Sequence, residues 1–231
     1  MRKICRGLYS QATMRTGRQF FTYVESNLPV LNVAQDNIMR NKRPYIVAIA
    51  GPSGSGKSEV SKELQQELGN VLCMSIDDYF RDPNELPIVD GWKNSDVPEA
   101  IRFDKLAEDL EALKRGEGVI VSVLKYPHQN WDRIEKQLKP SSFVIIEGFL
   151  VLYDEKVRNT CDLKIFIDVP EYLQFERRME RNPRENEEYI KRVVIPNYKL
   201  YGLPTKQYAD EVIDGKKSVT EVVREIKYII S

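Results

Sequence analysis

The chain has 231 residues, with 35 Lys plus Arg against 35 Asp plus Glu, a length that suits one sizeable α/β core and is short for two complete ones. The zero net charge argues against the global positive field of a nonspecific nucleic-acid binder, and no apolar run approaches the roughly 20 residues that cross a bilayer. Cys5, Cys73 and Cys161 form no CxxC pair and no zinc-ligand spacing, so a soluble protein of a reducing, cytoplasmic compartment is expected, without nucleic-acid or membrane partners.

The first residues carry Arg2, Lys3, Arg6, Arg15 and Arg18, and no acid precedes Glu25. Such a composition resembles a mitochondrial or plastid import segment. The preferred alternative is an ordinary helical extension over 1–43, with Phe20, Phe21, Val24 and Leu28 at helical spacing against the core and a second short segment bracketed by Pro29 and Pro44.

From Tyr45 onward, short apolar runs alternate with longer amphipathic ones, the pattern of parallel strands joined by crossover helices. Strands are expected at 45–50, 71–75, 119–124, 143–147, 163–168 and 210–213. Helices are expected at 57–68, about 104–115, about 171–182, about 187–200 and 217–230. Asp104 is placed to cap the second of these, whose Leu106, Leu110 and Leu113 share a face, and Gly116 ends it. The stretch 81–96, with prolines on both sides of Trp92, is too long for a mere connector and is a candidate binding loop.

Between the first strand and the first helix lies AGPSGSGKS, residues 50–58. Gly51, Gly56, Lys57 and Ser58 fit the P-loop pattern in the strand–loop–helix context that gives it meaning. Backbone amides of Gly51, Ser53, Gly54, Ser55 and Gly56 would form an anion-binding concavity, reinforced by the helix N-terminus. Lys57 would reach the β- and γ-phosphates of ATP, and the Ser58 hydroxyl would ligate magnesium. Asp77 and Asp78, in MSIDDYF, follow a strand and so sit at the carboxyl edge where ligands of such sheets bind. One of these acids can accept a proton from an attacking hydroxyl. Glu147, delivered to the same edge by FVIIEG, can complete a magnesium shell. No guanine-reading Asn-Lys-x-Asp segment is present, which removes the switch GTPases.

These residues resemble the uridine kinase family, within the P-loop kinases of the uridine kinase and phosphoribulokinase group, from about Tyr45 to Gly215. The resemblance rests on GPSGSGKS, DDYF, DVPEAIRFD, VIIEGFLVLYDEKVRNTCDLKIFIDV, ERRMERN and PNYKLYGLPTKQYADEVID. It implies a P-loop kinase domain over 44–231, with a parallel sheet, helices on both faces and a short lid. The implied reaction is ATP- and Mg2+-dependent phosphorylation of a primary hydroxyl on a nucleoside such as uridine or cytidine. By position, Asp77 matches the family's catalytic base, Asp96 its ribose-hydroxyl acceptor and Arg181 a lid arginine over the phosphates. Arg184 stands in for a further lid charge toward ATP, since the usual Arg-Gly-Arg segment is missing. Tyr79, Tyr126, Trp131 and Arg133 fall on the acceptor side. Pro127 replaces an acid, and Trp131 stands where the family has a base-contacting histidine, so stacking rather than hydrogen bonding is expected to meet the base. Two other readings stay open: a kinase of the same fold for another ribose- or sugar-like metabolite such as nicotinamide riboside, and a nucleotide-binding regulatory protein that has lost transfer. A homo-oligomer is compatible with all of them.

Overall fold

Apolar runs of five or six residues rich in Ile and Val become parallel strands when both of their faces are covered. In the computed structural model, which describes residues 43–125, 132–182 and 186–230, that condition is met. The elements in chain order are β1 (Tyr45–Ala50), α1 (Lys57–Leu68), β2 (Val71–Ser75), β3 (Ile88–Val89), β4 (Trp92–Lys93), α2 (Phe103–Lys114), β5 (Val119–Lys125), β6 (Asp132–Leu138), β7 (Phe143–Gly148), α3 (Glu155–Thr160), β8 (Leu163–Asp168), α4 (Glu171–Arg181), an irregular helix α5 (187–202), β9 (Glu211–Asp214) and α6 (Val219–Ile230). The helical extension expected over 1–43, with Phe20, Phe21, Val24 and Leu28, lies outside the described residues.

Five strands form one sheet in the order β2-β7-β1-β8-β9, every pair parallel. Period-two alternation splits their side chains between two cores. Val47, Ile49, Ile145, Ile165 and Ile167 face α1 and α6, packing on Val60, Leu64, Val222, Val223 and Ile226. Ile46, Ala48, Val144, Ile146 and Phe166 face the other way, toward Leu106 and Leu110 of α2, Val157 of α3 and Tyr198 of α5. Helices thus cover both faces, as the alternating pattern predicts. Among the described residues no helix is long and apolar enough to cross a membrane.

Two local expectations need correction. The strand expected at 119–124 exists but does not join the parallel sheet; it pairs antiparallel with β6, Val119 opposite Leu138 and Lys125 opposite Asp132. Asp104 is not the cap of α2, because Arg102 occupies that position and supplies no side-chain bond. The stretch 81–96 is partly ordered: β3 and β4 pair around Asp90-Gly91, whose φ values of 52° and 83° are those of a two-residue Asp-Gly hairpin turn.

The helix after α4 is widened. Ile195 donates its amide to Ile190 and Leu203 to Tyr198, five residues back in each case. Pro196 lacks an amide hydrogen and so cannot continue a regular ladder. The Asn197 side chain compensates by donating to the Val193 carbonyl at 2.8 Å.

Gly148 closes the edge of β7 against the turn after β2. A methyl group there would fall 2.7 Å from Ile76 Cβ and closer still to its Cγ2. Gly148→Ala is therefore expected to cost about 1–3 kcal/mol through overpacking, read as a lower urea midpoint with an unchanged slope.

Candidate functional site

Strands β2, β7 and β1 end side by side. Ser75 and Ile49 are both in register with Glu147. The turn after β2, the carboxylate on β7 and the loop after β1 therefore meet at one edge. A cleft of about 580 Å³ opens there, lined by residues 53–58, Asp77, Phe80, Ser95, Asp96, Glu147, Phe175, Arg177, Arg178, Arg181, Tyr198 and Lys217 among others.

The loop 51–56 forms the floor. Gly51 has φ 148°, and a Cβ there would overlap the Ile167 carbonyl oxygen of β8, so the chain can leave β1 and turn under β8 only as glycine. Lys57 opens α1 with its side chain folded back over the loop: Nζ donates to the Pro52 carbonyl at 2.8 Å and to Ser55 Oγ at 3.4 Å. It is buried, and burial holds its pKa below the usual value while the negative charges of Glu147 and Asp77 oppose the drop. A desolvated ammonium beside backbone amides is a site that an anion completes.

Glu147 lies on the face of β7 that looks toward α1, two residues beyond Ile145. There it accepts the Ser58 hydroxyl at 2.9 Å. A hydroxyl and a carboxylate side by side form a hard oxygen donor pair of the kind magnesium takes when phosphate and water supply its other ligands. Among the described residues no group of three or more His, Cys, Asp or Glu side chains converges on a metal position.

The turn Ile76–Tyr79 is a single 3-10 turn, capped by the Ser75 hydroxyl accepting the Asp77 amide at 3.3 Å. At three residues per turn, positions 76 and 79 eclipse. Both are buried, so Asp77 projects the other way, into the cleft. Asp77 is open to solvent along the cleft but walled on its other sides. Burial raises its pKa from the usual 3.8 to about 6, with Glu147 adding to the rise and Lys57 opposing it. A carboxyl group so tuned can take a proton near neutral pH.

Other expected residues are distributed unevenly. Asp96 lines the same cleft. Arg181 reaches the cradle, 3.4 Å from Ser53 Oγ. Tyr79 does not reach the acceptor side: it is fully buried, and its hydroxyl donates to Asp109 at 3.0 Å. Arg133 does not line the cleft either; its guanidinium binds Asp82 at 2.9 Å and the carbonyls of Ser122 and Phe80, stitching β6 to the chain after the 3-10 turn. Asp78 turns away to Lys136 at 3.3 Å. Tyr126, Trp131 and Arg184 lie outside the described residues.

Two contributors escape a reading of the motifs. Arg177 donates to the carbonyls of Gly54 at 3.1 Å and Gly215 at 2.9 Å; its i,i+4 spacing from Arg181 is the signal that places both on one helix face. Tyr189, in the first turn of α5, donates its hydroxyl to Asp96 Oδ2 at 3.0 Å, and nothing in its spacing marks it.

Comparisons with known proteins show what the chain is similar to. The sequence profile of the Phosphoribulokinase / Uridine kinase family matches residues 46–221. A uridine kinase of Haemophilus influenzae (strain PittEE) is 35% identical over 189 residues, covering 76% of this chain and 89% of its own. A uridine kinase of Leuconostoc citreum is 31% identical over 183 residues, 74% of this chain and 87% of its own. The solved structure of a "possible uridine kinase" from Bacillus stearothermophilus shares the fold, with a TM-score of 0.53 at 19% identity over 78% of this chain and 97% of its own.

The raised pKa of Asp77 has a thermodynamic sign. The carboxyl group holds its proton to about pH 6 in the fold and only to 3.8 when unfolded. Stability is therefore lost as pH rises between these values and stays lost above them. In nucleotide-free protein, Asp77→Asn is expected to raise the melting temperature above pH 6 and to lose that advantage toward pH 4, measured by thermal melts across the range.

Proposed function

The chain belongs to the phosphoribulokinase and uridine kinase family, and from that premise we propose that it transfers the γ-phosphate of ATP to the 5′-hydroxyl of a nucleoside such as uridine or cytidine. The observation that carries this reading is the position of Asp77, a carboxyl group of pKa about 6 in the same cleft as the phosphate cradle, Glu147 and Asp96. In the proposed reaction Asp77 takes the proton of the acceptor hydroxyl as its oxygen bonds to the γ-phosphorus. The bond to the β-bridging oxygen breaks, and ADP leaves with that electron pair.

Lys57 would exchange its bond to the Pro52 carbonyl for phosphate oxygens, which requires only a side-chain rotation. Arg181 would stabilise charge on the phosphoryl group in flight, while Arg177 braces the cradle from behind. Ser58 and Glu147 would hold Mg2+, which neutralises phosphate charge when bound. Asp96 is suited to vicinal ribose hydroxyls, because a carboxylate accepts two such bonds and charge-assisted bonds are about twice as strong as neutral ones. A protein that had abandoned transfer would have no use for Lys57, Asp77 and Glu147 converging in this way.

Lys57→Met is expected to abolish ADP release with uridine, ATP and magnesium while leaving the melting temperature near that of the parent, since an apolar chain relieves a buried charge. Wild-type turnover in this variant would end the kinase reading. Arg181→Ala is expected to lower kcat by roughly 10²–10³ with the KM for ATP changed far less, because the charge it meets is greatest in the transition state; steady-state kinetics in both substrates separate the two.

A further inference from the structure

The first two turns of α5 touch the loop that carries Asp96 at two points of very different character. Arg192 pairs with Asp90 at the hairpin turn at 2.6 Å, but both side chains are about half exposed, at 55% and 44%, and such a pair contributes little. The other contact is partly buried and involves a carboxylate that lines the cleft. The Tyr189 hydroxyl donates to Asp96 Oδ2 at 3.0 Å, and its ring meets Trp92 edge-on, centroids 5.8 Å apart at 66°. Ser95, also on the cleft wall, places its hydroxyl against the same phenol. The Asp96 amide is in turn held by Asn94 Oδ1 at 3.0 Å, and Asn94 is buried.

The loop therefore fixes the Asp96 backbone, and a residue of α5 reaches its carboxylate from outside the loop. An ionised carboxylate has about four lone-pair positions. A phenol bound at one of them helps to orient the plane. A tyrosine suits this task because the Trp92 contact pins its ring, so little freedom is lost when the bond forms.

We propose that Tyr189 is a positioning residue that sets acceptor selectivity, holding the Asp96 carboxylate in the orientation that receives a vicinal diol. The inference rests on the reading of Asp96 as the ribose-binding carboxylate. It assigns the discrimination between ribose and 2′-deoxyribose to a pair of residues, one on the acceptor loop and one on the helix that follows the lid. Removing the phenol oxygen leaves the ring contact in place but takes away one of the bonds that orient the carboxylate, so the loss falls on the substrate that uses the second hydroxyl.

The test is kcat/KM for uridine and 2′-deoxyuridine, by ADP release at saturating ATP and magnesium, in the full-length wild type, Tyr189→Phe, Asp96→Asn, the double variant and Trp92→Leu. Tyr189→Phe is expected to lower kcat/KM for uridine about tenfold, chiefly through the KM for uridine, to change 2′-deoxyuridine less than threefold, and to leave the KM for ATP and the melting temperature close to wild type. In the Asp96→Asn background the same change is expected to have no further effect. Trp92→Leu, which removes the contact that pins the ring but keeps the phenol, is expected to lower the selectivity ratio less than Tyr189→Phe does. An unchanged ratio in Tyr189→Phe overturns the proposal, as does an equal fall for both substrates accompanied by a lower melting temperature, or simple additivity with Asp96→Asn. If the wild type itself shows no ribose preference, or that preference survives Asp96→Asn, the reading of Asp96 fails first and this inference falls with it.

Discussion

The register of β7 between β2 and β1 is the constraint on which the rest depends. Glu147 is opposite both Ser75 and Ile49, so a slip of one residue would turn it from the α1 face to the opposite core and bury an unpaired carboxylate. The slip is prevented by the apolar residues before it. Val144 and Ile146 fill one core and Ile145 the other, and a shift would exchange these two environments along the whole strand. The hydrophobic pattern of these three residues thus places the Glu147 oxygen 2.9 Å from Ser58 and brings it level with the end of β2, beside the turn that carries Asp77.

That arrangement concentrates like charges and buried ions in a small volume. Lys57 is desolvated, and the charge of Glu147 adds to the cost of ionising Asp77. In isolation each feature opposes folding. They persist because the sheet and its two cores are large enough to hold them, and the tension is useful: a lysine bound only to loop oxygens is ready for phosphate, and a carboxyl group titrating near neutrality is ready for a hydroxyl proton.

Much of this was legible in the residues because it is written in local spacing. The cradle, the five parallel strands and the acids at their ends all follow from short motifs beside apolar runs. The errors have physical reasons. VIVSVL in β5 reads as a buried parallel strand, yet Ile120 is 55% exposed, since a hairpin covers only one of its faces. Its partner DRIEKQL is mostly polar for the same reason and carries no strong signal. Tyr79 stands two places from Asp77, and the 3-10 turn converts that nearness into opposite directions. The Asp90-Gly91 turn carries a recognisable dipeptide. The Tyr189–Asp96 bond spans 93 positions and no local pattern could announce it.

The strand order also decides when the cradle can become firm. Loop 51–56 is made early in synthesis, but β1 has for neighbours only β7 and β8, and Ser58 waits for Glu147, 89 residues later. At translation rates of about 5–20 residues per second, the glycine loop and its lysine spend roughly 4–18 s on the ribosome before the strands that hold them exist. The part of the chain that meets nucleotide is thus drafted early and assembled late, so a nascent chain halted before β7 carries every residue of the motif without the neighbouring strands that hold it in place.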